Sequence, residues 1–153
     1  MHLPPESWGP FFWHTMHIAA LGYPNEPTYA HKKAAKDFYE SLQFLIPCPV
    51  CRDHYKEHLE KYPITPHLDR KDDLFHWTIL LHNQVNAKLK KPAFTQAQAI
   101  EYYSRLGERG RSPVWTMNDF VEADSKARLQ GIIVGVVLAG IAGGVLWYVN
   151  IPT

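Results

Sequence analysis

The sequence predicts an all-α fold, in which a compact bundle of about five helices precedes a C-terminal transmembrane helix. Apolar residues before residue 107 recur with helical spacing almost throughout, and strand-like alternation is never long enough to predict a sheet. Residues 131–149 form a run of 19 residues without a charge. With 153 residues, 46% of them hydrophobic, the chain is long enough for one domain with an apolar core.

Glycine and proline delimit the first two predicted helices. The first covers roughly residues 8–21, because Gly22 and Pro24 end it. The second begins with Pro27, a residue suited to position N1 of a helix, and it ends at Pro47. Its apolar side chains recur at helical spacing and are predicted to lie in the core: Ala30, Ala34, Phe38, Leu42 and Leu45.

Three further helices complete the predicted bundle. The third spans about residues 48–61 and the fourth about residues 72–90, each followed by proline. Thr95 and Gln98 have the spacing of a capping box, which predicts a fifth helix ending at Gly107.

We therefore predict four segments along the chain. Residues 1–106 form the helical domain, and residues 107–130 form a linker, rich in turn residues, and a juxtamembrane helix from Asp119. Residues 131–149 form the transmembrane helix, and residues 150–153 form a short tail.

Charge and cysteine content exclude several classes of protein. Sixteen basic and 15 acidic residues leave a net charge of +1, so no basic surface calls for nucleic acid. The composition is not that of a disordered chain, and two cysteines are too few for a scaffold of several disulfides.

The apolar run at residues 131–149 has the length of a membrane span, since 19 helical residues cover about 28 Å. A buried core helix is the alternative interpretation. Small residues recur every fourth position along the run, a ridge that either supports self-association or reflects the usual composition of membrane helices: Gly131, Gly135, Ala139 and Gly143.

The sequence around the span predicts how the chain is oriented. The first ten residues lack the basic and apolar regions of a signal peptide, so the anchor is predicted to be C-terminal. Lys126 and Arg128 precede the span and no charge follows it. By the positive-inside rule, we expect a single-pass protein whose N-terminal domain faces the cytoplasm.

Cys48 and Cys51 have the spacing of a redox-active dithiol. Two sulfurs at this spacing come within disulfide reach when the first lies at a helix N-terminus, and Pro49 suits the first turn there. A zinc site that also uses His54 and His58 is one alternative, although zinc fingers usually separate their ligand pairs more widely. An ordinary structural disulfide is the other.

Aromatic and polar residues at helical spacing predict two walls of a ligand pocket. His82 and Asn86 lie four residues apart with Asn83 beside them, and Trp13 and His17 have the same spacing on the first helix. Taken singly, these residues are explained as core or paired polar groups, and the lysines that follow, Lys88, Lys90 and Lys91, as a solvated face. Together, beside a dithiol, they favour a pocket for a stacked ring system, with the lysines suited to phosphate.

Three stretches of the chain form a recognisable set of motifs: WGP at residues 8–10 with Trp13, His17 and the Tyr23-Pro24 pair; PCPVC at residues 47–51; and Trp77 with HNQVNAKLKKPAF at residues 82–94. In this order and spacing, over about residues 8–106, they resemble the Erv/ALR family of FAD-dependent sulfhydryl oxidases.

The resemblance implies a helical bundle, usually a homodimer, that binds FAD noncovalently. Trp13, His17 and Tyr23 would contact the flavin. The remainder of the cofactor, its adenine, ribose and phosphates, would be held by a second set: His82, Asn83, Asn86, Lys88 and Lys91, with Tyr103 near the adenine.

The resemblance also implies a reaction. Cys48 would accept a substrate thiolate, and Cys51, deeper and nearer the flavin, would pass two electrons through FAD to O2 to give hydrogen peroxide. Many family members have a further structural disulfide where this chain has Ile79 and Gln96, and a shuttle dithiol that this chain lacks.

Without a shuttle dithiol, the substrates implied are thiol-containing proteins or a separate thioredoxin-like carrier. The compact members from large cytoplasmic DNA viruses resemble this arrangement, which would place the anchor in a host or virion membrane. A zinc-stabilised helical adaptor and a flavin-free dithiol carrier remain alternative functions at this point.

Overall fold

The computed structural model describes residues 3–110 and 117–149, and for residues 117–120, 122 and 145–149 it describes the backbone alone. Within these ranges the chain forms six α-helices and no strand: α1 (Pro5–Leu21), α2 (Tyr29–Leu45), α3 (Pro49–Lys61), α4 (Lys71–Lys88), α5 (Gln96–Glu108) and α6 (Met117–Val149). The predicted all-α fold is confirmed. A 3-10 turn at Thr65–His67 joins α3 to α4.

The core lies between two pairs of helices, because α1 packs along α4 and α2 packs along α3. Tyrosine hydroxyls join neighbouring helices. Tyr39 of α2 donates to the carbonyl of Met16 in α1 at 2.7 Å, and Tyr55 of α3 donates to the carbonyl of Tyr39 at 2.9 Å. The fully buried Trp77 of α4 fills the centre and donates its indole N–H to the carbonyl of Tyr62 at 2.9 Å. These bonds satisfy buried polar groups and join α2 to α1, α3 to α2, and α4 to the end of α3.

The apolar face predicted for α2 is only partly correct. Leu42 is buried and Phe38 is half-buried, but Ala30, Ala34 and Leu45 are exposed, because α2 turns the side of Tyr39 and Leu42 towards the core.

Capping decides where α2 and α5 begin. The prediction that Pro27 opens α2 is wrong, because Thr28 is the N-cap: its side chain accepts from the N–H of His31, and the His31 ring accepts from the Thr28 N–H. A threonine capping box with His31 displaces the start from Pro27 by two residues. The capping box predicted for α5 is confirmed by reciprocal bonds between Thr95 and Gln98 of 2.8 and 3.2 Å.

A tight turn ends α4 two residues before the predicted end at Lys90. The N–H of Lys91 donates to the carbonyl of Asn86 at 2.8 Å, and the N–H of Lys90 donates to the carbonyl of Ala87 at 3.2 Å, which is a Schellman motif. Lys90 has a φ of 55°, a left-handed conformation that favours glycine. The turn reverses the chain so that Lys91 and Phe94 return to the wall of the cavity described below.

The chain divides into two compact units, Met1–Tyr103 and Ser104–Thr153. The second contains α6, one continuous helix that begins at Met117 and includes both the predicted juxtamembrane helix and the predicted span. Its segment Ala123–Gly144, 22 residues with a mean hydropathy of 1.6 and none of it buried, is a candidate membrane span. Residues 111–116 of the predicted linker and the predicted tail at residues 150–153 lie outside the described residues.

Candidate active site

A cavity of about 750 Å³ lies within the first unit. Its walls come from α1, α3, α4, α5 and the loop between α4 and α5. Of the eleven residues that the sequence analysis assigned to the site, ten line this cavity in the described part of the chain: Trp13, His17, Cys48, Cys51, His82, Asn83, Asn86, Lys88, Lys91 and Tyr103. The structure therefore brings together residues separated by up to 90 positions along the chain.

Cys48 and Cys51 form a disulfide at the N-terminus of α3. Cys48 is the N-cap residue, with Pro49 in the first turn, and its sulfur accepts the N–H of Cys51 at 3.3 Å. The free N–H groups and the positive end of the helix dipole at this position stabilise a thiolate on Cys48. Both cysteines are half-buried and line the cavity, so the disulfide borders both solvent and the cavity interior.

Two stacked rings and a third beside them form one side of the cavity wall. The rings of Trp13 and His82 are parallel to within 4°, with centroids 4.1 Å apart. His17 lies edge to edge with His82, with centroids 5.3 Å apart and a tilt of 22° between the two rings, and a hydrogen bond joins their facing nitrogens. The edge of Tyr103 contacts His17 at 5.9 Å between centroids. This flat aromatic wall is suited to a planar ring system.

Hydrogen bonds behind the stack determine which nitrogens carry protons. The Thr78 hydroxyl donates to the carbonyl of Phe75 at 2.7 Å, so its oxygen accepts from Nδ1–H of His17 at 2.9 Å. Nε2 of His17 is then an acceptor, and Nδ1–H of His82 donates to it at 3.0 Å. By this chain of bonds, Nε2 of His82 is left as an acceptor on a residue that lines the cavity.

Burial keeps both rings neutral. It is the main cause that lowers the pKa of His17 from 6.5 to about 3, and the neighbouring His82 and His14 lower it further. Burial likewise lowers the pKa of His82 to about 4, with smaller contributions from His14 and Lys91. A neutral His17 is what the bond sequence through Thr78 requires, because its Nε2 accepts from His82 and a protonated ring has no acceptor nitrogen.

Three buried polar atoms in the cavity wall have no hydrogen-bond partner among the described residues. They are Nε1 of Trp8, Nε2 of His58 and Nδ2 of Asn86. Burial, and then the charge of Lys88, lower the pKa of His58, which favours its neutral form. A buried polar group left unpaired costs about 1 to 3 kcal/mol, so these atoms favour a ligand that carries hydrogen-bonding groups on several sides.

The remaining polar residues in the wall differ in their contacts. Asn83 uses both ends of its amide on the main chain of Phe94, donating to the carbonyl at 2.8 Å and accepting the N–H at 2.9 Å, so it fixes the loop before α5. Lys88 pairs with Glu57 of α3 at 3.6 Å, while nearly half of its side chain stays exposed. Lys88 and Lys91 bring two positive charges to the cavity wall, which suits an anionic ligand.

Tyr23 is the predicted site residue that the described structure places elsewhere. Its side chain is buried in the core and its hydroxyl donates to the carbonyl of Leu68 at 3.0 Å. Burial raises the pKa of Tyr23, so the hydroxyl stays protonated as this bond requires. A contact between Tyr23 and a ligand stays a prediction.

Two groups in and behind the wall were missed by the sequence analysis. Thr78 lies one turn before His82, but a lone threonine on an apolar helix has no pattern of its own. His14 accepts from the Tyr102 hydroxyl at 2.8 Å and donates to the carbonyl of Pro10 at 2.7 Å, which links α1 to α5 at the edge of the cavity. No local signal marks His14 either, because its partner Tyr102 lies 88 residues away.

Comparison with known proteins agrees with this geometry. Residues 10–104 match the Erv1/Alr family. A protein of Acanthamoeba polyphaga mimivirus, described as a probable FAD-linked sulfhydryl oxidase, is 41% identical over 100 residues, covering 65% of this chain and 70% of its own. A protein of invertebrate iridescent virus 3, described as a putative FAD-linked sulfhydryl oxidase, is 28% identical over 141 residues, covering 92% of this chain and 95% of its own.

A solved structure has a similar fold. The FAD-binding domain of Erv1 from Saccharomyces cerevisiae matches with a TM-score of 0.58 and 30% identity. The match covers 61% of this chain and 88% of that one. The similarity therefore includes the helical unit that contains the cavity.

Proposed function

The chain belongs to the Erv1/Alr family, and we propose that it is an FAD-dependent thiol oxidase that forms disulfide bonds in its substrates. One observation supports this activity above the others: the disulfide of Cys48 and Cys51 lies in the wall of a cavity that also contains an aromatic stack and unpaired polar atoms. An oxidase of this kind needs a disulfide and a planar electron acceptor side by side.

The residues present fit FAD. The stacked rings of Trp13 and His82, with His17 beside them, suit a planar ring, and the unpaired N–H of Asn86 suits a ring or ribose acceptor. Lys88 and Lys91 suit the two phosphates. In this proposal, Asn83 acts on the cofactor through the loop that it holds. When bound, FAD accepts the two electrons of the dithiol and delivers them to O2 as hydrogen peroxide.

The two cysteines divide the thiol chemistry. A substrate thiolate attacks the sulfur of Cys48, the bond between Cys48 and Cys51 breaks, and Cys51 leaves as a thiolate. A second substrate thiolate then attacks the substrate sulfur of the mixed disulfide and releases Cys48. The N-terminus of α3 stabilises the Cys48 thiolate, which makes it the better leaving group in this second step. Overall, two substrate thiols and O2 give one disulfide and hydrogen peroxide.

The two alternative functions, a zinc-stabilised adaptor and a flavin-free dithiol carrier, do not explain both the disulfide and the cavity. A zinc-stabilised adaptor would need the sulfurs of Cys48 and Cys51 as thiolates, whereas the structure joins them, and the described residues contain no cluster of three or more metal-ligating side chains. A flavin-free dithiol carrier gives no reason for a cavity of about 750 Å³ with buried, unpaired donors.

A visible absorption spectrum of the purified protein distinguishes the three functions. The oxidase is expected to show flavin bands that a dithiol bleaches under nitrogen and that air restores. A colourless protein whose stability falls on addition of a chelator would support the zinc adaptor. A colourless protein that a chelator does not affect, even after addition of FAD, would support the carrier.

The proposed cellular arrangement has α6 as a C-terminal membrane anchor. Its described apolar side chains are exposed, and its uncharged part, residues 131–149, spans about 28 Å, which is close to the hydrocarbon thickness of a bilayer. Water would solvate such a surface poorly. The match to the iridescent virus protein covers 92% of this chain and so extends into α6.

We expect the helical domain to face the cytoplasm. Digestion of that domain by protease added to the cytoplasmic side of intact membranes would support this orientation. Digestion only after the membranes are opened would contradict it.

We propose in addition that the protein is a homodimer. Phe11 and Ile18, two turns apart on α1, are each half-exposed and lie outside the cavity lining, so they form an apolar face suited to a second copy. A Cβ at Gly131, Gly135 or Gly143 would meet no atom within 4 Å, so a partner helix has room to approach along this ridge of α6.

Sedimentation velocity in detergent tests the dimer. Phe11→Asp is expected to raise the dimer dissociation constant about tenfold or more, and Gly135→Leu is expected to add to the effect if the ridge contributes. A monomeric wild-type protein would contradict the proposal, and so would an unchanged constant in Phe11→Asp.

A further inference from the structure

Exposed apolar residues flank Cys48 in the sequence. Phe44, Leu45 and Val50 are 71%, 65% and 61% exposed. Pro47 and Pro49 are also exposed, and residues 44–51 read FLIPCPVC, without a charged or polar side chain apart from the cysteines. We call the five exposed apolar residues of this segment, Phe44, Leu45, Pro47, Pro49 and Val50, the collar.

The collar is held in place by the core. Ile46 is buried in the middle of the segment, and its N–H donates to the carbonyl of Leu42 at 3.0 Å. The Arg52 guanidinium donates to the carbonyl of Phe44 at 3.5 Å, which occupies one carbonyl at the end of α2. Because Ile46 and Leu42 are buried in the core, the side chains next to them in the sequence are exposed. The exposure of the collar side chains is therefore a consequence of how this segment packs against the core.

The location of the collar next to Cys48 indicates which partner binds it. Contiguous exposed apolar residues beside a functional site are typical of a binding surface. The collar flanks Cys48 on both sides in sequence, and Val50 also lines the cavity. A thiolate that attacks Cys48 from solvent therefore reaches the segment in which these side chains are exposed. The reducing substrate is thus the one partner that the chemistry requires at this surface.

We propose that the collar is the docking surface for the reducing substrate, and that it selects protein segments in which the cysteine is flanked by apolar side chains. The inference rests on the proposed thiol oxidase activity. Burial of the collar supplies the affinity, because no charged side chain lies within residues 44–51 to select by charge. The docked cysteine then attacks Cys48 as described above, with Cys51 leaving as the thiolate.

Oxygen consumption by the full-length, FAD-loaded protein in detergent tests the proposal. Two peptides, each with a pair of cysteines, serve as substrates: in one the cysteines are flanked by leucine and phenylalanine, and in the other by serine and asparagine. Dithiothreitol is the third substrate. For the wild-type protein we expect kcat/KM to be about tenfold higher or more for the apolar peptide than for the polar one.

Substitutions in the collar test whether it causes the preference for the apolar peptide. Phe44→Ser and Leu45→Ser are expected to reduce the ratio of the two peptide kcat/KM values to within about threefold of one. The matched control is Tyr29→Ser, at the other end of α2, whose ring is 82% exposed and lies outside the collar. It is expected to keep the wild-type ratio.

Three results would overturn the inference. One is equal kcat/KM for both peptides in the wild-type protein, and another is a ratio that the collar variants leave unchanged. The third is dissociation of a dimer by Phe44→Ser in sedimentation velocity, which would make the collar an interface between copies of the chain. Failure of the proposed function itself would look different, because dithiothreitol would then drive no oxygen consumption in the wild-type protein.

Discussion

Nε2 of His17 accepts a hydrogen bond from Nδ1–H of His82 at 3.0 Å, across the interface between α1 and α4. The bond joins two rings that both line the cavity, and Thr78 completes it by accepting Nδ1–H of His17 at 2.9 Å. A fully buried threonine therefore sets the hydrogen-bonding character of a ring nitrogen in the proposed FAD site.

The first prediction concerns Thr78. Replacing it with valine keeps the shape but removes the acceptor for His17, so the proton positions on both rings lose their support. We expect Thr78→Val to weaken FAD binding about tenfold, measured by titration of the apoprotein with FAD. Thr78→Ser keeps the hydroxyl and is expected to bind FAD nearly as the wild type does. Equal loss in both variants would mean that packing, and not the hydroxyl, matters.

The second prediction concerns pH. Because burial lowers the pKa of His82 from 6.5 to about 4, the unfolded chain takes up a proton in this window that the folded chain excludes. Stability is therefore lost as the pH falls from about 6.5 towards 4. We expect the loss of unfolding free energy between pH 7 and pH 5 to be about 1 to 2 kcal/mol smaller in His82→Gln than in the wild type, measured by urea unfolding. An equal loss in both proteins would contradict the neutral, buried pair.

The third prediction separates two neighbouring asparagines. Asn86 has an unpaired buried Nδ2, so Asn86→Ala is expected to weaken FAD binding about tenfold and to leave the apoprotein as stable as before. Asn83 holds the Phe94 main chain, so Asn83→Ala is expected to cost about 1 to 3 kcal/mol of stability. Chemical unfolding of the apoproteins and FAD titration check both. A large stability loss in Asn86→Ala would show that its amide is already paired without the cofactor.

The fourth prediction concerns the turn after α4. Lys90 has a φ of 55°, and a left-handed conformation costs a residue with a Cβ about 1 kcal/mol. Lys90→Gly removes that cost and is expected to raise the unfolding free energy by about 0.5 to 1 kcal/mol, with thiol oxidation unchanged. Lys90→Ala, which keeps the strain, is the matched control. A glycine variant no more stable than the alanine variant would contradict the strain.

The sequence predicted the helices well where a local signal decides them. Gly22 after α1, Pro49 at the start of α3 and the Thr95 capping box are each sufficient to place a helix end. Pro27 misled the prediction because proline suits several positions near a helix start, whereas the side-chain bonds between Thr28 and His31 fix the start. Competing caps of similar strength are not distinguished by sequence alone.

The predicted site residues share one cavity because each belongs to a motif with distinctive spacing. Thr78 was missed because its importance depends on His17, 61 residues away, and no local pattern reports such a contact. The hydrogen bond between Asn83 and Phe94 could not be predicted from the sequence either, since it depends on how the loop after Lys90 turns. Spacing could therefore predict which residues assemble, and the structure was needed to assign their bonds.

The connection between α4 and α5 uses no cysteine. Ile79 is buried in the core, and Gln96 accepts a hydrogen bond from the ring of His76 at 3.2 Å. Packing and a side-chain hydrogen bond thus hold α5 near α4. Within the sequence of 153 residues, the two cysteines are both used in the proposed redox centre.

The most direct test of the central claim is the stoichiometry of oxygen consumed, hydrogen peroxide formed and thiols oxidised by the wild type, Cys51→Ser and Cys48→Ser proteins. FAD content is measured first, so that each preparation is compared at equal cofactor. The wild type is expected to form one peroxide for every two thiols, and each variant is expected to keep its FAD and to lose turnover by about a thousandfold or more. Full turnover in Cys51→Ser with FAD bound would contradict the account.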